Sequence, residues 1–405
     1  MKKNETTLAH SYPLGLVPAG PGGGEKVDGG SMIHNRVVKK LWLMILLSLL
    51  AACGGGGGSG PAPVIEPAPA PKTMIEVFIN SPVVEKFING KTIEITLPYD
   101  PALIQDGFMD ITDISRLLNV RPDQAEAKRV EIINALFGGG LSSVVPVPAE
   151  WEAYFETVVD YPGGFTAHTY YVVYEPPGDW NGRVIILHHG HANTFLYDAG
   201  AFFLDHGWAV ILMTQPMMDI NTVHYNGVQL EVHDDLLDLE TPDFNPIALF
   251  IDPPVMAVNL SEALFPGAPV GIMGLSGGGW TALVAGAIDN RLTFSVSVSG
   301  WQPFYLNLSK HTGHLVGDYE QVAPNLFTRF NVNYLDLAVI ASMNGRHIQG
   351  WLVHDTSNFD GYGYLTYAPQ LEAITGGRYG IIVDETFVGH DITPEIMEKV
   401  LGELP

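Results

Sequence analysis

The sequence predicts an α/β domain built on a mostly parallel central sheet with helices on both faces. Three observations predict it. Short runs of β-branched and apolar residues recur from residue 151 to the carboxyl terminus, separated by stretches with helical spacing. The strand runs are continuously apolar rather than alternating, as expected of strands buried on both faces. A glycine-rich turn, Gly274-Leu275-Ser276-Gly277-Gly278-Gly279, joins one of these runs to a helix.

In chain order, residues 92–97 alternate like a strand. Residues 122–137 have helical spacing, with Asp123 and Glu126 at the start and Gly138, Gly139 and Gly140 at the end. The whole stretch 73–150 carries no evident chemistry and reads as a small amino-terminal subdomain or cover. The domain proper, 151–405, has strands expected at 169–174, 183–187, 208–213, 270–273, 292–298, 351–353 and 379–383. Helices are expected at 195–206, 280–288 and 394–404. Two segments, 214–268 and 301–348, are too long for simple crossovers and are expected to form a lid and walls over a site.

Composition narrows the functional classes. At 46% hydrophobic and 10% aromatic residues, the 405-residue chain is globular rather than disordered. A formal charge of −24 excludes nucleic acid as a partner, since phosphate contacts need a basic surface. A single cysteine, Cys53, excludes an intramolecular disulfide and any multi-thiolate metal site.

Cys53 follows Leu50-Ala51-Ala52, and upstream lie Arg36, Lys39, Lys40 and the apolar run 41–50. A basic region, a short apolar core and small residues before the cut describe a secretory signal peptide. That core is too short to span a bilayer of roughly 30 Å as a helix. The ending resembles the lipobox of bacterial lipoproteins, which implies cleavage before Cys53 and acylation of the new terminus. The expected address is the bacterial cell envelope, with the exported chain held to a membrane by lipid. A secreted soluble protein with an incidental thiol is the alternative. Residues 32–53 are then the signal, 54–72 a Gly/Pro/Ala linker, and 1–31 a mis-assigned start or extension. Cleavage leaves 14 basic and 41 acidic residues. Lipid rather than charge must hold such a chain to an anionic membrane.

The chemistry centres on Ser276. Its Gly-x-Ser-x-Gly setting between a strand and a helix puts a hydroxyl on a tight turn, where side chains at 274 and 278 would collide with strand and helix. The turn also sets the serine at a helix amino terminus, whose free amides favour developing negative charge. An ordinary glycine-rich turn is the bland alternative.

Residues 151–405 resemble the α/β-hydrolase superfamily on this motif and on three further positions. His188-His189-Gly190-His191 follows a strand upstream of the serine, where the family carries its oxyanion loop. Asp355 ends the strand after the nucleophile's helix and next strand, and His390 lies between the last strand and the final helix. The order serine, acid, histidine is the family's. The resemblance implies Ser276 as nucleophile, His390 as general base, Asp355 as its acid, and an oxyanion hole made by the backbone N–H groups of Gly277 and His191. Asp360 is also eligible as the acid; Asp384 and Glu385 are poorer candidates, and Asp391 or Thr393 reads as a helix cap.

Neither a cofactor nor a metal is expected. The clustered His188, His189 and His191 invite a metal, but Asn193 and Thr194 break the His-x-His-x-Asp-His pattern of metallo-hydrolases. The acidic run Glu231, Asp234, Asp235, Asp238, Glu240, Asp243 lacks calcium-loop spacing and reads as a solvated loop. Trp301, Phe304 and Tyr305 fit an acyl pocket or a lid core equally. The expected substrate is a small-molecule carboxylic ester, and the layout is esterase- or lipase-like. A peptidase or thioesterase on the same fold, or an inactive surface-binding lipoprotein, are the alternatives, and oligomeric state is left open.

Overall fold

The computed structural model describes residues 83–88, 91–96, 113–192, 194–241, 244–310 and 317–404. The signal segment, Cys53 and the linker lie outside them. A hairpin of β1 (Val83–Ile88) and β2 (Lys91–Thr96) comes first and pairs with itself, antiparallel.

The main sheet runs through β3 (Val147–Pro148), β4 (Tyr154–Tyr161), β5 (Phe165–Tyr174), β6 (Val184–His189), β7 (Ala209–Thr214), β10 (Val270–Leu275), β11 (Leu292–Val298), β12 (Arg346–His354) and β13 (Tyr379–Val388). Their order across the sheet is β13-β12-β11-β10-β6-β7-β5-β4-β3. From β7 to β13 every neighbouring pair is parallel, whereas β5 runs antiparallel to β7 and to β4, and β3 antiparallel to β4. Two short strands, β8 (Thr222–Tyr225) and β9 (Val228–Gln229), extend the antiparallel end through β5. The inner strands β6, β7 and β10 are almost continuously apolar because both faces are covered. Along β6, Ile185 and Leu187 point into one hydrophobic layer and Val184 and Ile186 into the other.

The first layer is closed by α2 (Tyr197–Asp205) and α10 (Pro394–Glu403), through Phe203, Ile396 and Val400. The opposite face carries α3 (Ala248–Leu264) and α4 (Gly277–Ile288). On this side α8 (Tyr334–Asn344) packs in the same core as Trp280 and Leu283. This is the α/β architecture expected from the sequence, a mostly parallel sheet with helices on both faces. Among the described residues no helix is long and apolar enough to cross a membrane.

Two expectations are refined. Residues from 113 onward do not form a separate core: Ile132, Ile133 and Leu136 of α1 (Ala125–Phe137) share a cluster with Trp280 and Val339, and β3 joins the main sheet. The two long segments also hold more core than lid, since the central residues of α3 and α8 are buried all round.

Candidate active site

β6 and β10 lie side by side, while the strands that follow them leave toward opposite edges. Such a reversal opens a crevice beyond the carboxyl ends of the strands. β10 ends at Leu275 and α4 begins at Gly277, so Ser276 alone makes the turn, with φ +59° and ψ −126°. A non-glycine residue held there costs about 1–3 kcal/mol, which its surroundings must offset. They do so with hydrogen bonds: the Ser276 N–H donates to Val298 O at 3.0 Å, and the Trp280 N–H donates to Ser276 O at 3.0 Å. The motif glycines are close-approach residues. A Cβ on Gly274 would lie 2.1 Å from Gly278 O, and one on Gly278 would lie 2.0 Å from His188 O.

β12 delivers Asp355 and β13 delivers His390. The His390 Nδ1–H donates to Asp355 Oδ2 at 2.8 Å, and the ring of Phe359 stacks on His390 at 6.5 Å and 15°. Asp355 Oδ1 accepts from the Ser357 N–H at 2.6 Å. Burial pushes the Asp355 carboxyl up, but hydrogen bonds from His390 and the Ser357 N–H, with the charge of the neighbouring His390, outweigh it and hold the group below the usual carboxylate range. Asp360 is exposed, and the contact to His390 belongs to Asp355. Asp384 is committed elsewhere, accepting from the amides of Thr386 and Phe387 and the hydroxyl of Thr393. Thr393 in turn caps α10 by accepting from the Ile396 N–H.

Ser276 and His390 line one cavity of about 320 Å³ with His189, His191, Ala192 and Asp391. A larger cavity of about 790 Å³ lies elsewhere, around Arg129, Asn134, Ser142 and Arg291, and holds none of the candidate residues. Gly277 opens α4, so its N–H has no partner within the helix. Gly190, just after β6, approaches so closely that a Cβ on it would meet Gly277 N at 2.5 Å. The Ala192 N–H donates to Gly190 O at 2.9 Å, and His191 beside it also lines the cavity.

The four-residue run 188–191 divides its labour. His188 is buried, its Nδ1–H donates to His189 O at 2.8 Å, and burial pushes its pKa down to about 3. His189 lines the cavity, and its Nδ1 has no hydrogen-bond partner among the described residues. The His191 ring meets a cluster of three other side chains. Its Nε2 lies 2.7 Å from Asp318 Oδ2 and 3.1 Å from both Glu320 Oε1 and His233 Nδ1. His233 and Glu320 are buried and also meet, Nδ1 to Oε2 at 3.1 Å. Burial pushes the Glu320 carboxyl up, yet the neighbouring His233 and His191 outweigh it and keep the group ionised. These four are the residues that could hold a metal ion, their ligand atoms all within 4.8 Å of one another.

Sequence reasoning missed His233, Asp318 and Glu320. They come from two separate segments, the turn that begins at His233 and the short helix 319–322 with Asp318 before it, and His233 is hidden inside the acidic run that otherwise reads as solvated surface. No local spacing could have joined them to His191. Trp301, Phe304 and Tyr305 are core, packed with Phe327, Tyr334 and Tyr367 and almost wholly buried.

No protein-family model matches the chain, and no curated protein matches it in sequence. Solved structures do. An esterase of Pyrococcus furiosus is 12% identical with a TM-score of 0.40, over 65% of this chain and 97% of its own. An acetyl xylan esterase from Paenibacillus sp. R4 is 15% identical with a TM-score of 0.42, over 70% and 92%. A glucuronoyl esterase of carbohydrate esterase family 15 from Caldicellulosiruptor kristjansonii is 13% identical with a TM-score of 0.41, over 69% and 83%. These are likenesses of chain path at low identity, and they do not bear on this chain's substrate.

Proposed function

We propose that this protein is a serine hydrolase of carboxylic esters working through a Ser276 acyl-enzyme. One observation carries the reading: Ser276, on a strained turn at a helix amino terminus, shares a cavity with a histidine whose ring is fixed by a buried carboxylate. With Nδ1–H committed to Asp355, the free Nε2 of His390 is the base. It takes the Ser276 proton as Oγ attacks the ester carbonyl, and the carbonyl oxygen becomes an oxyanion. The N–H groups of Gly277 and His191 would receive that charge; losing one such donor typically costs about 2.7–4 kcal/mol of barrier. His390 then returns the proton to the departing alcohol. A water, deprotonated by the same ring, attacks the acyl-serine; collapse frees the acid and restores the Ser276 hydroxyl. Asp355 stays ionised throughout and stabilises the imidazolium.

The cavity lies near the lower end of ligand-pocket sizes and is lined largely by histidines and small residues. That favours short acyl groups over long chains. The test is hydrolysis of p-nitrophenyl acetate beside p-nitrophenyl palmitate by wild type and Ser276→Ala. Wild type is expected to cleave the acetate much faster, and the variant neither. Equal acetate cleavage by both proteins contradicts the proposal.

The mature chain is proposed to begin at a lipidated Cys53 and to sit in the cell envelope. The support is the Leu-Ala-Ala-Cys sequence behind a basic and apolar segment. Mass spectrometry of the mature amino-terminal peptide should find a diacylglyceryl cysteine; an unmodified or uncleaved terminus would refute it.

A further inference from the structure

Behind the loop at 190–192 two histidines and two carboxylates turn their ligand atoms toward one another, all within 4.8 Å. His191 Nε2 has three potential metal donors around it, Asp318 Oδ2, Glu320 Oε1 and His233 Nδ1, at 2.7–3.1 Å. A ring nitrogen carries at most one hydrogen and can direct it along one line, so hydrogen bonds use only some of these contacts. His233 Nδ1 faces two such atoms, His191 Nε2 and Glu320 Oε2, both at 3.1 Å.

A cation at the centre satisfies all four atoms at once. We propose that His191, His233, Asp318 and Glu320 form a binding site for one divalent transition-metal ion, with zinc the best match. Two imidazole nitrogens and two carboxylate oxygens are a donor set that zinc takes in tetrahedral form. Four contacts among these groups, at 2.7–3.1 Å, are a few tenths of an ångström shorter than the ~3.3 Å edges of a tetrahedron with metal bonds of about 2.0–2.1 Å, and the ligand atoms as a set lie within 4.8 Å of one another. The side chains would rearrange around an ion to reach that geometry. Hard cations such as calcium or magnesium prefer all-oxygen shells and suit it less.

The surroundings fit the same reading. The outer nitrogen of His233, Nε2, donates to Pro216 O at 2.7 Å, which fixes the ring with Nδ1 aimed inward. Metal-bound histidines are held in this way by a backbone carbonyl. Gln215 is wholly buried, its Nε2 lies 3.5 Å from Glu320 Oε1, and its Oε1 has no partner among the described residues. The absence of a side chain at Gly277 makes room for both, since a Cβ there would lie 2.6 Å from Gln215 Nε2 and 2.7 Å from the His191 ring.

With four protein donors the site is closed, as in a structural zinc centre. It would tie three segments together: the loop after β6, the turn that holds His233, and the short helix α6 (Tyr319–Val322) with Asp318 before it. His191 would then be anchored by its ring, which would hold in place the backbone N–H proposed above for the oxyanion hole. That positioning role rests on the hydrolase reading above; metal binding does not.

Zinc content and zinc affinity of the intact chain test the site. Elemental analysis of the purified protein should find about one zinc per chain. After removal by dipicolinate, titration with zinc chloride should restore that content and raise the melting temperature. Asp318→Asn and His233→Gln should each weaken zinc binding by roughly tenfold or more, while His206→Gln, at an exposed histidine, should not. A protein that holds no zinc, takes up none and melts unchanged overturns the site, as does equal zinc binding by the two ligand variants and wild type. Covalent labelling by a fluorophosphonate is read separately. Slower labelling of the zinc-free protein supports the positioning role, and an unchanged rate overturns it. Zinc binding without any labelling leaves the site standing and removes the hydrolase reading.

Discussion

The two ends of the main sheet share a backbone architecture but differ in what they can support. From β6 to β13 the strands are parallel, so their carboxyl ends open on one edge. The residues proposed for the hydrolytic step lie just beyond them: His191 after β6, Ser276 and Gly277 after β10, Asp355 after β12, His390 after β13. From β5 to β3 the strands alternate in direction, no shared edge of carboxyl ends forms, and none of those residues lies there. The parallel end spends its loops on the site and carries strain at Ser276. The antiparallel end is edge, with Val158 of β4 63% exposed.

Substitutions at the two ends should therefore behave differently. The largest effect is expected for Asp355→Asn, which keeps the shape but removes the charge that orients His390. A fall in kcat of about 10⁴-fold is the scale for such an acid, whereas Asp360→Asn should leave kcat within a factor of about two. Comparable losses in both would undo the assignment. Next is Gly278→Ala, whose Cβ would enter the space of His188 O. Overpacking of this kind costs about 1–3 kcal/mol, and denaturant unfolding should read it as a lower midpoint together with lost activity.

A smaller effect should appear in the acid limb of the stability curve. The folded Asp355 carboxyl titrates below its ordinary value of about 3.9. Its contribution is therefore complete above that value and lost as pH falls through the lower folded one. Asp355→Asn should make stability less steep below about pH 4; an unchanged slope would contradict the shift. Smallest of all is Val158→Thr at the antiparallel edge, expected within about 0.5 kcal/mol of wild type and without effect on kcat.

How much was legible in the sequence follows the same division. The turn at Ser276 could be read because its glycines answer a local steric need, and the order of serine, acid and histidine follows the chain. What depended on distant partners could not. The strand β12 begins at Arg346, five residues before the apolar run at Trp351, because His347 and Gln349 are buried polar residues rather than surface. His347 is bonded to Ser295, while Gln349 is held by Trp301 O and the hydroxyls of Tyr367 and Tyr379. No window of neighbouring residues reveals those partners. The helix α3 was hidden by Pro253-Pro254, which normally end a helix at about 3 kcal/mol or more. It persists because Ala248 through Ser261 are buried, so packing outweighs the local penalty. The cluster around His191 was illegible for the same reason as Gln349: its members meet only after folding.

The central claim, that Ser276 is a nucleophile activated by His390, is tested most directly by covalent capture. The protein is treated with a fluorophosphonate, digested, and the modified peptide sequenced by mass spectrometry. A single adduct on Ser276, absent from Ser276→Ala and strongly reduced in His390→Ala, is the expected result. No adduct on wild type, or labelling that persists in Ser276→Ala, would contradict it.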